Sequence, residues 1–246
     1  MVIYIEIIYL ISLLLASALL AQGSERILIV VTNHAELGET GSTTGYFLSE
    51  VAHPWHVFTR EGYAVDFASP LGGYAPMDPK SFDLSDPINK EFWHTLAAVE
   101  ALVSTKDLSQ IDSRDYAAIF FAGGHGTMWD FPGSADVIAR ITETYQNGGV
   151  VGAVCHGPAA LVGVVIDGQP LVAGKRVAAF TNDEENAVKL TEVMPFLLES
   201  KLKELGAEFV PAPNFQTNVV VDGRLVTGQN PASAEKAAEA IVQLLK

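Results

Sequence analysis

Short runs of β-branched and other aliphatic residues recur along this chain, separated by segments with helical spacing or turn residues. The runs occupy residues 26–32, 64–68, 116–122, 150–154 and 176–180. Runs this short and this apolar are typical of strands that are buried on both faces of a parallel sheet. Strands that alternate with helices place those helices on the two faces of the sheet. The sequence therefore predicts an α/β sandwich around a mainly parallel sheet.

Three segments modify this outline. Residues 69–110 interrupt the alternation with scattered proline, aspartate and aromatic residues, and we interpret them as an inserted small cap with short helices. A helical pattern at 46–61 contains Pro54, which should kink or restart the helix. An Asp-Gly pair inside 219–227 indicates a hairpin near the C terminus. No internal repeat is visible, so we predict a single domain over residues 24–246.

The composition excludes one class of partner. The chain has 29 acidic and 15 basic residues among its 246, a formal net charge of -14. An acidic surface repels a phosphate backbone, and no cluster of lysine and arginine overrides this charge. Nucleic acid is therefore not an expected partner. With 49% hydrophobic and 18% charged residues, the chain has ample material for a full core and little tendency to extended disorder.

The first 23 residues differ from the rest. Residues 7–21 are apolar and uncharged, and at about 1.5 Å per residue this stretch is shorter than a bilayer core. The length suits a signal peptide, and alanines at its end offer cleavage positions, but Glu6 stands where a positive charge is expected. Three interpretations remain open: a cleaved export signal, which we expect, an uncleaved anchor that would hold the protein at a membrane, or a mis-set start codon. The first gives a periplasmic or secreted protein, the last a cytoplasmic one.

The segment VVGAVCHGPAAL, residues 150–161, carries the strongest chemical signal. A buried strand ends directly before Cys155, and the small residues Ala153 and Gly157 lie two positions to either side. This spacing lets the backbone turn sharply and present one side chain at the carboxyl end of the strand, where open α/β sheets bind their ligands. A helix that starts after the turn would favour the thiolate form of the sulfur. We therefore predict a nucleophilic Cys155, against the alternative of a packed structural cysteine.

A second glycine-rich turn follows the preceding strand. In AGGHGTMWD, Gly123, Gly124 and Gly126 surround His125. If the two strands are neighbours, a glycine N–H here and the N–H of His156 would form an oxyanion hole. An ordinary strand-to-helix turn would also place glycines here. His125 is accordingly either a pocket residue or part of that turn.

Several separated motifs, in the same order, resemble one known family. AGGHGT, AVCHGP and DGRLVTGQNPASA, together with TGYFLSEVAHPWHVFTREGYAVDFAS, are similar to the ThiJ/PfpI superfamily (Parkinson disease protein 7-like). Within it the chain resembles the heat-shock glyoxalase III branch, whose members are also described as chaperones and deglycases. The resemblance covers the chain from about Arg26 onward. It implies a flavodoxin-like three-layer sandwich that is usually a homodimer.

The resemblance also implies an activity and a set of site residues. The activity is the glutathione-independent conversion of methylglyoxal, a 2-oxoaldehyde, to lactate through a thiohemiacetal, a lyase reaction that needs no cofactor or metal. The family's functional positions fall on Cys155, His156 and Glu50, with oxyanion donors from Gly124 and His156. The remaining acid lies within FTNDEE, where spacing favours Glu185. Its neighbours Asp183 and Glu184 stay open as alternatives.

Other functions and sites compete with this interpretation. The same strand-turn-helix occurs in class I glutamine amidotransferase-like amidases and peptidases, and a holding chaperone or a redox-sensing thiol is also consistent with the sequence. His53 and His56 lie close to Glu50, but the intervening proline and the missing third ligand argue against a metal there. We interpret Asn230 and Pro231 as a helix-start turn and not as part of a site.

Overall fold

The computed structural model describes residues 25–246. The predicted signal peptide or anchor at residues 1–23 lies outside these residues. No helix among residues 25–246 combines the length and the apolar character needed to cross a bilayer.

A twisted parallel sheet forms the centre of the molecule. The strands of the described residues are β1 Arg26–Val30, β2 Ala64–Ser69, β3 Lys106–Asp107, β4 Ala118–Phe121, β5 Val150–Val154, β6 Val165–Ile166, β7 Gln169–Pro170, β8 Arg176–Val177, β9 Glu208–Phe209, β10 Val219–Asp222 and β11 Leu225–Gly228. Seven of them form one sheet in the order β10-β11-β5-β4-β1-β2-β3. Its strand pairs are parallel, except for the antiparallel hairpin of β10 and β11 at one edge. The predicted mainly parallel sheet and the C-terminal hairpin are both confirmed.

Helices cover both faces of this sheet. The α-helices of the described residues are α1 Leu48–Arg60, α2 Pro87–His94, α3 Leu96–Val103, α4 Thr127–Asp130, α5 Ala135–Gln146, α6 Asn182–Ala187, α7 Leu198–Glu204 and α8 Ala234–Leu245. Alternate residues of β1 enter two separate cores: Ile27 and Ile29 pack with α1 and α8, whereas Leu28 and Val30 pack with α5 and α7. This alternation is the period-two geometry of a strand. The predicted three-layer α/β sandwich is confirmed.

The inserted segment lies partly beside the sheet. Phe92 of α2 packs edge-on against Trp55 of α1 and Phe67 of β2, with ring centroids 5.2 and 6.0 Å away. The part that reaches the carboxyl end of the sheet precedes these helices and includes a short 3₁₀ turn, Pro79–Ser81. The cap therefore contributes loop residues, and not its two α-helices, to the region around Cys155.

Three local predictions were wrong. The helix does not restart at Pro54 but continues through it, because its buried face packs against the core and compensates for the missing N–H. Only Arg176–Val177 of the 176–180 run forms a strand, and it pairs with β9 outside the main sheet because β11 occupies the place beside β5. The element after Cys155 is a five-residue 3₁₀ helix, Gly157–Leu161, and not an α-helix.

Gly157 should be sensitive to substitution because a Cβ there would collide with the backbone oxygen of Phe121. We expect Gly157→Ala to lower the free energy of unfolding by about 1–3 kcal/mol, the usual cost of overpacking. Gly163→Ala is the matched control, since its Cβ would meet only the mobile tip of Ile138, at 2.6 Å. Urea unfolding measures both variants. Equal stabilities for the two would contradict the proposed packing.

Candidate active site

The turn that presents the cysteine is strained and held from both sides. Cys155 follows β5 directly and has a φ of 60°, a left-handed conformation that costs a residue other than glycine about 1–2 kcal/mol. Its N–H donates to the Gly228 carbonyl and its carbonyl accepts from the Phe180 N–H, both at 2.9 Å. These two bonds join the turn to β11 and to the segment after β8. They hold the sulfur at the carboxyl end of the sheet.

A chain of polar contacts connects the sulfur to a carboxylate. The Sγ of Cys155 lies 3.4 Å from Nδ1 of His156, and Nε2 of His156 lies 2.7 Å from Oε2 of Glu185. Burial alone would raise the pKa of Glu185, but His156 and His125 lower it to about 2. An ionised carboxylate only accepts hydrogen bonds, so Nε2 of His156 carries a proton. Nδ1 is then free to accept the thiol proton.

The structure separates the three consecutive acids. Asp183 is exposed, whereas Glu184 and Glu185 are both buried. Glu184 accepts from Thr181, as part of a capping box, and from the Phe215 N–H. Only Glu185 of these three bonds to His156.

Glu185 also connects the two histidines. Its other oxygen, Oε1, lies 3.0 Å from Nε2 of His125, and the two imidazoles are 4.2 Å apart. The side chain of His125 is 16% exposed, while that of His156 is fully buried. His125 therefore lies on the cavity wall, and His156 lies behind it.

Glu50 contributes a second carboxyl with the opposite character. It lies in the first turn of α1, is 0% exposed, and accepts the Gly123 N–H at 2.8 Å with Oε2. Its Oε1 has no nitrogen or oxygen partner among residues 25–246. Burial raises the pKa of Glu50 from 4.5 to about 8. Hydrogen bonds from the Cys155 thiol and from the Gly123 N–H lower this pKa, but by less than burial raises it. That rise corresponds to roughly 5 kcal/mol in favour of the neutral acid, well above the about 0.3–1 kcal/mol that a helix N terminus gives an anion.

The prediction that Cys155 rests as a thiolate is wrong. Burial and then the neighbouring Glu50 charge raise the pKa of Cys155 well above its ordinary value, and the His156 N–H opposes them only in part. The following 3₁₀ helix has only five residues, too few to build a strong dipole. The sulfur is thus held as a thiol at neutral pH. It must lose its proton as it reacts.

Of the two predicted oxyanion donors, the N–H of His156 lies at the sulfur, and Gly124, which carries the other, lines the same cavity as Cys155. Gly124 lines the cavity next to Cys155 with a φ of 105°, and no backbone carbonyl of residues 25–246 accepts its N–H. The Gly123 N–H, by contrast, is taken by Glu50. The His156 N–H bonds to the sulfur itself. The His156 N–H is thus near the position of an oxyanion that forms on a carbon bound to Sγ, and the Gly124 N–H is not taken by another backbone group of the described residues.

Cys155, His125 and Gly124 line a cavity of about 250 Å³ with a largely apolar wall, and His156 and Glu50 are buried behind it. The lining residues are Leu37, Phe47, Asp78, Lys80, Gly124, His125, Cys155, Phe180, Val188, Leu190, Phe215 and Pro231. Asn230 and Pro231 do start a helix, as predicted, but they also belong to the site region, since Pro231 lines the cavity and Asn230 donates to Glu184 at 2.8 Å. Sequence analysis also missed Phe215. The hydrogen bond from its backbone N–H to Glu184 places it at the cavity, and a backbone hydrogen bond has no sequence signature.

One group of residues has the composition of a metal site. Ligand atoms of His125, His156 and Glu185 lie within 4.8 Å of one another, and two histidines with a glutamate are ligands that zinc accepts. A metal here would displace both bonds to Glu185. His53 and His56 do not join Glu50, since they pair with Asp86 and Glu91 at 3.1 and 2.8 Å.

Comparison with known proteins gives consistent matches over nearly the whole described chain. Residues 26–244 match the model of the DJ-1/PfpI family. The chain is 34% identical over 239 residues to the glutathione-independent glyoxalase HSP31 of Saccharomyces cerevisiae, covering 90% of this chain and 98% of that protein. The structure of glyoxalase III from Candida albicans superposes with a TM-score of 0.84 at 33% identity, over 91% and 99% of the two chains. The structure of the 24 kDa rapid encystment protein of Francisella tularensis superposes with a TM-score of 0.87 at 39% identity, and the match covers 90% of this chain and 99% of that chain.

The pKa of the Cys155 thiol can be read from its alkylation by iodoacetamide as a function of pH, because the chain has no other cysteine. We expect a midpoint above that of free cysteine. Glu50→Gln should move the midpoint to lower pH, since it removes a negative charge that opposes the thiolate. Glu100→Gln, at an exposed position, should leave it unchanged. A wild-type midpoint at or below that of free cysteine would contradict the described environment.

Proposed function

This chain belongs to the DJ-1/PfpI family, in its glutathione-independent glyoxalase branch, and we propose that Cys155 carries out its reaction. The protein is a lyase of the glyoxalase III type that acts on 2-oxoaldehydes and converts methylglyoxal to lactate. One observation supports the assignment to Cys155: its sulfur lines the cavity and contacts both the His156 imidazole and the Glu50 carboxyl, which are buried behind the cavity wall.

The reaction begins with addition of the sulfur to the aldehyde carbon. Because Cys155 rests as a thiol, its proton passes to Nδ1 of His156, 3.4 Å away, as the carbon–sulfur bond forms. The aldehyde oxygen becomes an oxyanion that the N–H groups of Gly124 and His156 stabilise. Ionised Glu185 stabilises the positive charge on the imidazole. The imidazolium then returns its proton to this oxygen, and the product is a thiohemiacetal.

The second step moves hydrogen between the two carbons of the substrate. Ionised Glu50 takes the proton from the carbon that bears sulfur, which leaves an enediolate, and the neutral acid gives this proton to the adjacent carbon. The hydroxyl proton on the oxygen of the first carbon moves to the oxygen of the second, so that a thioester carbonyl and a secondary alcohol result. A carboxyl with a pKa of about 8 is suited to both halves of this transfer, since neither form is strongly disfavoured near neutral pH. The hydrogen shift converts the thiohemiacetal into a lactyl thioester without any external oxidant.

Hydrolysis completes the cycle. Water adds to the thioester carbonyl, the carbon–sulfur bond breaks, and the thiolate recovers its proton. The donors that stabilised the first oxyanion meet the second at the same position. The protein thiol thus takes the place that a glutathione thiol has in a glutathione-dependent route, and only water enters besides the substrate.

We further propose that the protein works as a homodimer, which the sequence resemblance implies, and that residues 1–23 direct its export. The length of the apolar segment 7–21 supports the second point. Sedimentation velocity tests the first proposal. The intact mass of the protein from its native cells tests the second, because export with cleavage removes these residues.

Turnover of methylglyoxal without added glutathione tests the assignment of residues. Lactate should form with the wild-type protein and not with Cys155→Ala. Glu185→Gln should lower kcat by about 10²–10⁴-fold, because His156 loses the anion that fixes its tautomer and stabilises its charge. Asp183→Asn is the matched control on the same helical turn, and should stay within about twofold of wild type because Asp183 is exposed. A Glu185→Gln variant as active as Asp183→Asn would contradict the proposal.

A further inference from the structure

Phe215 occupies an unusual place at the mouth of the cavity. It lines the cavity, yet its side chain is 47% exposed and its backbone has a φ of 61°. Both features are unfavourable for a large apolar residue, since water contacts the ring and the left-handed region strains the backbone. Conformations of this kind persist only where the surroundings hold them, and they cluster at functional sites.

Glu184 is the group that holds Phe215 in place. Its Oε1 accepts the Phe215 N–H at 2.7 Å and the Asn230 side chain at 2.8 Å. Its Oε2 accepts the N–H and the hydroxyl of Thr181. Glu184 is 0% exposed, and its four hydrogen bonds join the loop of Phe215 to the turn after β11 and to the start of α6. The strained loop is therefore anchored beside the helix that carries Glu185.

The wall below Phe215 is apolar and larger than methylglyoxal requires. Phe180 packs against the His156 ring at 4.5 Å, and the Phe215 ring lies 6.3 Å from Phe180. Val188 and Leu190 continue this wall. The cavity volume of about 250 Å³ is far above the ~30 Å³ that one water occupies in the liquid. Methylglyoxal offers this wall a single methyl group.

We propose that Phe215 is a specificity-determining residue, and that the site prefers 2-oxoaldehydes with a bulky apolar group, aryl or branched alkyl, on the ketone carbon. This inference rests on the proposed function. With the aldehyde carbon at Sγ of Cys155, the substituent of the neighbouring carbon extends along the Phe180 and Phe215 wall. A substrate with an anionic substituent should bind less well, because Lys80 is the only lysine or arginine that lines the cavity among the described residues, and Asp78 lines it as well.

The test compares kcat/KM for phenylglyoxal and methylglyoxal in Phe215→Gly. Glycine adopts a positive φ without strain, so this variant removes the ring and leaves the loop path intact. We expect the ratio of the two kcat/KM values to fall about tenfold, through KM for phenylglyoxal, as expected when a substrate loses an apolar contact. The kcat/KM for methylglyoxal should fall much less than that for phenylglyoxal, because the single methyl group of methylglyoxal contacts little of the ring.

Two further variants complete the test. Phe215→Leu keeps an apolar group at the same position and should retain most of the wild-type ratio. Phe82→Ala is the matched control, since Phe82 is 45% exposed but lies outside the cavity; it should leave the ratio unchanged. An unchanged ratio in Phe215→Gly, with methylglyoxal still turned over, would overturn this inference alone. Absence of methylglyoxal turnover in the wild-type protein would instead overturn the proposed function.

Discussion

Three parts of the chain meet at Gly123, and the chemistry depends on how closely they approach there. A Cβ at this position would lie 2.6 Å from Oε2 of Glu50, 2.6 Å from the carbonyl of Val154 and 2.8 Å from the N–H of His156. Any residue with a side chain would therefore separate the end of β4, the start of α1 and the turn at Cys155. With glycine in place, the Glu50 carboxyl is buried directly against the sulfur. Its burial, and hence its neutral state near pH 7, follows from this contact.

The same small region gives two glutamates opposite protonation states. Glu185 faces two imidazoles and is ionised, whereas Glu50 faces a thiol and an N–H in a dry environment and is mostly neutral. Environments that push two carboxyl pKa values apart commonly assign one group to electrostatic support and the other to proton transfer. In the proposed reaction His156 activates the cysteine at the moment of attack, and the sulfur is not stored as a thiolate.

The sequence was sufficient for the architecture and for the centre of the site. Alternating apolar runs predicted the parallel sheet, and the small residues beside Cys155 predicted the sharp turn. Features that depend on long-range packing could not be predicted from the sequence. The raised pKa of Cys155 results from its burial against Glu50, a carboxyl more than a hundred residues earlier in the chain. The motif around Cys155 instead predicted a lowered pKa. Spacing favoured Glu185 among the three consecutive acids, but these acids point in different directions around a helix, and the bond to His156 is what separates Glu185 from Glu184. Phe215 is positioned by its backbone N–H, which leaves no pattern of residue types.

The proposed chemistry depends on Glu50 being a neutral acid beside the sulfur, and the infrared difference spectrum between wild type and Glu50→Gln reports its protonation state. We expect a carboxylic acid C=O band in the wild-type protein at pH 6 that disappears as the pH rises, with a midpoint of about 8. A carboxylate band for Glu50 at pH 6, with no protonated band to titrate, would contradict it.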